Sequence, residues 1–264
     1  MTYETILLNV EPPFAHITLN RAAVRNAMNF KMVDELLTVF AALRENRDVR
    51  AVVIGGAGGH FCAGGDIGDL AQVASMSEAE QDAITARLDA MLRAVNGAPQ
   101  VVITRLEGAV LGGGFGLACV SDIAITAENA SLGLPEVRLG LAPALISPFV
   151  IQRVGLTRAR QLMLTGERFD GKTAVEYGIA HEAVPSDHLT ERVQTLLGEL
   201  RHCSPNAIRE IKVLMGVVSE QSLDENLAYR ARLLNALRTS EDGQEGMAAF
   251  MQKRLPKWAQ PREE

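Results

Sequence analysis

Gly55-Gly56-Ala57-Gly58-Gly59-His60-Phe61-Cys62-Ala63-Gly64-Gly65-Asp66 follows directly on the apolar run Ala51 to Ile54. A second cluster, Gly112-Gly113-Gly114-Phe115-Gly116-Leu117-Ala118, comes soon after the apolar run Val101 to Leu106. Short apolar runs of this kind read as strands buried on both faces. Each glycine stretch therefore leads from a strand toward a helical stretch. Neither is a phosphate-binding loop, because no Gly-Lys-Ser/Thr follows, and neither has dinucleotide-fingerprint spacing. Glycine's ordinary task is to supply positive φ in a tight turn. The functional alternative is bare backbone N–H groups facing a ligand. Two such loops can aim two donors at one oxygen, which is the geometry of an oxyanion hole.

Outward from these loops the chain alternates strand, loop and helix. Ile6 to Val10 and Ala15 to Leu19 read as strands around Pro12-Pro13, and Asp122 to Thr126 as another. Residues 29–44 carry Met32, Val33, Leu36, Leu37, Phe40 and Leu43 at helical spacing, and residues 78–96 carry Ile84, Leu88, Met91, Leu92 and Val95 likewise. This pattern predicts an α/β layer architecture. From about Thr157 onward most segments read as helical, with Thr157 and Ser204 as N-caps and Pro205 in the first turn. A short strand-like run near Ile179 to Val184 precedes a helix from about Asp187. The expected division is an α/β core over residues 1–198 and a helical region over 199–264.

The composition excludes whole classes. With 47% hydrophobic and 22% charged residues the chain is globular rather than disordered. The 264 residues suffice for one large domain or two small ones. A net charge of −6 argues against nucleic-acid binding, which needs a basic face. Cys62, Cys119 and Cys203 imply neither a disulfide framework nor a Cys-x-x-Cys metal site. No signal peptide and no membrane-length apolar run is visible. The expected setting is soluble and cytoplasmic, without metal, membrane or nucleic-acid partners.

Glu136 is the single acid between Glu128 and Glu167, in the apolar, glycine- and proline-marked segment Gly133-Leu134-Pro135-Glu136-Val137-Arg138-Leu139-Gly140-Leu141-Ala142-Pro143. It is either paired with Arg138 or exposed, or it is a desolvated general acid/base, since burial raises a carboxyl pKa toward working pH. Asp66 and Asp69 read as loop or capping residues, His60 as structural, and Lys253, Arg254 and Lys257 as a solvated basic face or a contact for a ligand phosphate. No nucleophile elbow is present.

At these residues the chain resembles the crotonase, or enoyl-CoA hydratase/isomerase, family. The matching pieces are Leu19-Asn20-Arg21 with Asn26-Ala27-Met28, Phe61-Cys62-Ala63-Gly64-Gly65-Asp66-Ile67, and Gly112-Gly113-Gly114-Phe115-Gly116-Leu117-Ala118 with Ser121-Asp122. Gly133-Leu134-Pro135-Glu136 and Glu245-Gly246-Met247-Ala248-Ala249-Phe250 with Lys253-Arg254 complete the series in the family's order. The resemblance implies a superhelix of ββα turns with a C-terminal helical part that forms trimers, often paired into hexamers. It implies an acyl-CoA thioester as substrate and no separate cofactor. It gives the thioester oxygen to the N–H groups of Ala63 and Gly113, and the proton transfers to Glu136. Val24, Arg25, Ala27, Gly64, Asp66, Ile67 and Gly116 would lie along the substrate and its CoA. Phe250 and Lys253 would reach the CoA end, from this or a neighbouring subunit.

Two departures from the family pattern bear on the reaction. Typical hydratases carry two glutamates; the second matches Glu136, but the first falls at Gly116. Their glycine-rich water-holding segment reads here Ala144-Leu145-Ile146-Ser147-Pro148-Phe149. The departures resemble a branch of 3-methylglutaconyl-CoA and isohexenylglutaconyl-CoA hydratases. That implies hydration of a branched enoyl-CoA, with the substrate's own carboxylate or Ser147 replacing the missing glutamate. A one-base enoyl-CoA isomerase and a non-catalytic acyl-CoA binding protein are the alternatives. Phe115, Leu145, Ile146 and Phe149 are expected near the acyl pocket.

Overall fold

The computed structural model describes residues 2–260. Strands β1 (Ile6–Glu11) and β2 (Phe14–Leu19) form an antiparallel hairpin about Pro12-Pro13. Helix α1 (Phe30–Glu45) is capped by Asn29, whose side chain accepts the Met32 N–H, and buries Met32, Val33, Leu36, Val39, Phe40 and Leu43. Val39 shares the buried face in place of Leu37, which is half-buried. β3 (Ala51–Gly56) is buried at every residue, as the central position of an apolar strand requires. Then come α2 (Ile67–Val73), α3 (Glu78–Asn96), β4 (Val101–Leu106), β5 (Ala109–Leu111), α4 (Gly113–Val120), β6 (Ile123–Ala127) and β7 (Ser131–Gly133). α5 (Ser147–Thr165), β8 (Arg168–Phe169), α6 (Gly171–Glu176), β9 (Glu182–Val184) and α7 (Leu189–Leu200) follow.

The six-stranded sheet runs β1-β2-β3-β4-β6-β9, parallel from β2 onward. Parallel neighbours need crossover connections, and α1, then α2 with α3, then α4 lie in the crossovers. A second sheet, β5-β7-β8, is the part that hydrophobic patterning misses. Its strands are two or three residues long, too short for any alternation to register.

The chain divides after Gln194, inside α7, into two compact units. The second holds α8 (Pro205–Glu220), α9 (Leu227–Thr239) and α10 (Glu241–Met251). Ser204 caps α8, accepting the Ala207 N–H at 3.0 Å, with Pro205 in the first turn. Thr157 does not cap a helix. α5 begins ten residues earlier, at Ser147, and the break inside it falls at Gly155, with φ 74° and ψ 160°. The run from Ile179 is strand only over Glu182–Val184. Ile179 and Ala180 are buried instead in a turn whose N–H groups both reach the Ala174 carbonyl.

Candidate active site

The first glycine loop is held by backbone bonds on both flanks. Toward β5, the Cys62 N–H donates to Ala109 O and the Leu111 N–H to Cys62 O, both at 2.9 Å. Toward the segment before α1, Met28 N–H reaches Gly64 O at 2.7 Å, Asp66 N–H reaches Met28 O at 2.9 Å, and Ala63 N–H reaches Arg25 O at 3.0 Å. Asn26, fully buried at φ 57°, ties the parts together. Its amide donates to Ala57 O and His60 O at 2.9 and 2.7 Å, and its carbonyl accepts the Arg21 N–H at 2.9 Å. Asp66 caps α2 and pairs with Arg21 at 2.7 Å. That hydrogen bond is the main reason its carboxyl titrates below the usual range. Asp69 accepts the Phe30 N–H at 2.6 Å, and His60 Nδ1 accepts the Ala109 N–H at 3.0 Å. All three make bonds that hold the loop, and Asp66 and Asp69 also line the cavity beside it.

These bonds decide which N–H groups remain. The Ala63 N–H is spent on Arg25, so Ala63 is not a donor to a ligand, against the sequence expectation. Gly64, at φ 104°, turns the chain between Ala63 and Gly65. Gly65 bridges Met28 so that the bonds run through its neighbours and its own N–H points away. Gly113 is the first residue of α4, where N–H groups have no partner within the helix. Among the described residues neither the Gly65 nor the Gly113 N–H has an acceptor. The two loops touch: a Cβ built on Gly112 would lie 3.5 Å from Gly64 Cα.

Both glycines line one cavity of about 370 Å³, together with Glu136. Its wall is otherwise mostly carbon, from Met28, Leu70, Leu88, Met91, Leu92 and the segment Leu141 to Ile146; its charged side chains are Asp66, Asp69 and Glu136. Glu136 stands in a short turn, Pro135–Leu139, opened by Pro135. Arg138 does not neutralise it: that guanidinium turns to the Thr165 carbonyl. Glu136 Oε2 is buried and has no hydrogen-bond partner. Loss of solvent pushes its pKa up from the ordinary glutamate value. A Cβ on Gly112 would sit 2.9 Å from Glu136 Oε1, and Gly112 has φ 49°, so the carboxylate lies where only glycine leaves room.

Of the remaining expected residues, Val24, Arg25, Ala27, Gly64 and Ile67 do not line the cavity. Gly64 is buried within the loop. Val24 and Ile67 are 44% and 76% exposed, and Arg25 and Ala27 lie on the segment that pairs with the first loop. Phe250, 85% exposed on α10, and Lys253 belong to the second unit. Gly116 does not reach the cavity wall, because the Ile146 side chain lies against it. Leu145 and Ile146 do line the cavity, whereas Phe115 is sealed in the core, edge-on to Phe169 at 6.3 Å. Phe149 is not in the lining. Ser147 is not either, and its hydroxyl donates to Ala144 O at 2.8 Å. Burial pushes the Cys62 and Cys119 thiols up to about 11 and about 12, so neither is a nucleophile at neutral pH. No group of His, Cys, Asp or Glu able to hold a metal occurs among the described residues.

Two free backbone donors beside one desolvated carboxylate define a site that can bind an anionic oxygen and move a proton next to it. The chain belongs to the enoyl-CoA hydratase/isomerase family, whose sequence pattern matches residues 11–261. Its α/β fold with a helical C-terminal region is the fold of solved family members. Pseudomonas aeruginosa AtuE superposes with a TM-score of 0.95 at 46% identity, covering 97% of this chain and 100% of that one. The probable enoyl-CoA hydratase echA8 of Mycobacterium tuberculosis is 34% identical, over 98% of this chain and 99% of the relative. The trans-2-decenoyl-[acyl-carrier-protein] isomerase of Streptococcus mutans is 28% identical over 98% and 99%. Members of the family are enzymes acting on enoyl thioesters. No helix among the described residues is long and apolar enough to cross a membrane.

Proposed function

We propose that the protein hydrates a branched enoyl-CoA of the 3-methylglutaconyl or isohexenylglutaconyl type, through a thioester enolate and a single glutamate. The observation that carries this reading is the unpartnered Glu136 Oε2 in the cavity that the free Gly65 and Gly113 N–H groups line. The thioester oxygen accepts both N–H groups. Glu136 takes a proton from water, the hydroxide adds to C3, and the displaced electron pair moves onto the thioester oxygen. The enolate then collapses, and the same carboxyl returns its proton to C2 on the same face. The CoA thioester is substrate, and the steps so drawn use no cofactor or metal.

A second reading is favoured by Ile146 standing where a second acid would be. With one carboxylate the site suits isomerisation, in which Glu136 removes a proton from C2 of a 3-enoyl-CoA and returns it at C4. Mass spectrometry on straight-chain 2-enoyl, 3-enoyl, 3-methylglutaconyl and isohexenylglutaconyl thioesters, with Glu136→Gln as control, separates the two. Hydration gains one water on the branched substrates, and isomerisation changes retention at constant mass. No Glu136-dependent turnover anywhere in the panel rejects both and leaves an acyl-CoA binding role.

We also propose a homotrimer or a dimer of trimers. The second unit exposes large apolar side chains, Leu223, Leu227, Phe250 and Met251 among them, at 57–85%, as oligomer faces do before assembly. A reducing cytoplasm fits the free cysteines, one of them exposed.

A further inference from the structure

Gly116 lies within α4, and a Cβ built on it would fall 2.3 Å from Ile146 Cγ2 and 3.0 Å from Ile146 Cβ. Non-bonded carbons pack near 3.5–4.0 Å. Position 116 therefore carries no side chain while Ile146 keeps its place. Ile146 is 6% exposed, is the N-cap residue of α5 and lines the same cavity as Glu136 and Gly113.

We infer that Ile146 is the specificity-determining residue of this site. It fills the space through which α4 would present a polar side chain to the substrate, so hydration depends on a substrate that brings its own polar group. The inference rests on the reading of Glu136 as the proton carrier. A held water needs two or more polar partners. Glu136 supplies one, while the cavity's other carboxylates are engaged elsewhere, Asp66 by Arg21 and the Gly68 N–H and Asp69 by the Phe30 N–H. The Ile146 wall is aliphatic, and the neighbouring Ser147 hydroxyl is turned to the Ala144 carbonyl. A branch carboxylate on the substrate supplies the second partner, and a straight-chain 2-enoyl group has none to offer. Isomerisation needs no water and escapes this requirement.

Two experiments test it. The first is thermal unfolding of Gly116→Ala, Ile146→Gly and the double variant. In the wild-type background Gly116→Ala lowers Tm. With Ile146→Gly the same change is neutral or raises Tm, because alanine is the better helix former once the clash is gone. An equal penalty in both backgrounds overturns the inference. The second compares Gly116→Glu/Ile146→Gly with Ile146→Gly, using 2-butenoyl-CoA hydration divided by 3-enoyl-CoA isomerisation. The expected rise in that ratio is roughly tenfold or more, the scale of discrimination a few contacts provide. A protein that turns over its substrates with this ratio unchanged overturns the inference alone. Absence of all turnover in the wild type overturns the proposed function, and the specificity role falls with it.

Discussion

Ionising Glu136 places a charge against carbon, with one oxygen lacking any hydrogen-bond partner. Its pKa in the folded state is raised by desolvation. The folded protein therefore holds this proton more tightly than the unfolded chain does. The stabilisation this gives is fully present below the ordinary glutamate pKa and is lost as pH rises through the higher folded value. Glu136→Gln cannot ionise, so its Tm exceeds that of the wild type at about pH 8 and the gap closes toward about pH 4. The same variant loses about 10²–10⁴-fold in turnover, the range for removing a general acid/base. As the working base must be unprotonated, the acid limb of kcat/KM lies above the ordinary glutamate range. A gap in Tm that widens on acidification would refute the desolvation argument. At Gly112 a Cβ meets both a positive φ and the Glu136 carboxylate. Gly112→Ala is expected to cost about 1–3 kcal/mol from backbone conformation alone, visible as a lower Tm, and to reduce kcat by displacing Glu136.

At the scale of elements, the Gly65 donor is aimed by a segment remote from it in sequence. Asn26 receives one backbone N–H and serves two loop carbonyls. Asn26→Ala leaves these groups buried without partners, at about 1–3 kcal/mol each before relaxation. Because a misplacement of roughly 1 Å is worth about 10²-fold in rate, kcat is expected to fall further than Tm alone would suggest. Ser204→Ala is the matched control. It removes the cap of α8, costs about 1 kcal/mol and lowers Tm. Steady-state kinetics beside thermal unfolding tells them apart: kcat losses of similar size in both variants would remove the positioning role of Asn26.

At the scale of the whole molecule, the apolar side chains left on α9 and α10 predict self-association. Sedimentation equilibrium is expected to return three or six times the 28.5 kDa chain mass. A monomer at micromolar concentration would reject the trimer.

Much of this protein is legible in one dimension. The helical spacing of α1 and α3, the buried runs β3 and β4, and the two glycine loops after strands are local patterns, and local patterns survive without a fold. Glu136 stands out the same way, as one acid in an apolar segment. The tertiary structure alone decided that Gly65, not Ala63, keeps a free N–H. That depends on which carbonyl faces Ala63 across 38 residues of chain, and no local pattern encodes it. It likewise placed Ile146 against Gly116, withdrew Ser147, Phe115 and Phe149 from the cavity wall, and built the small second sheet. Apart from Ser147, whose hydroxyl turns to a carbonyl three residues away, each of these rests on contacts between segments far apart in sequence, where side-chain direction is set by packing rather than by the chain's own periodicity.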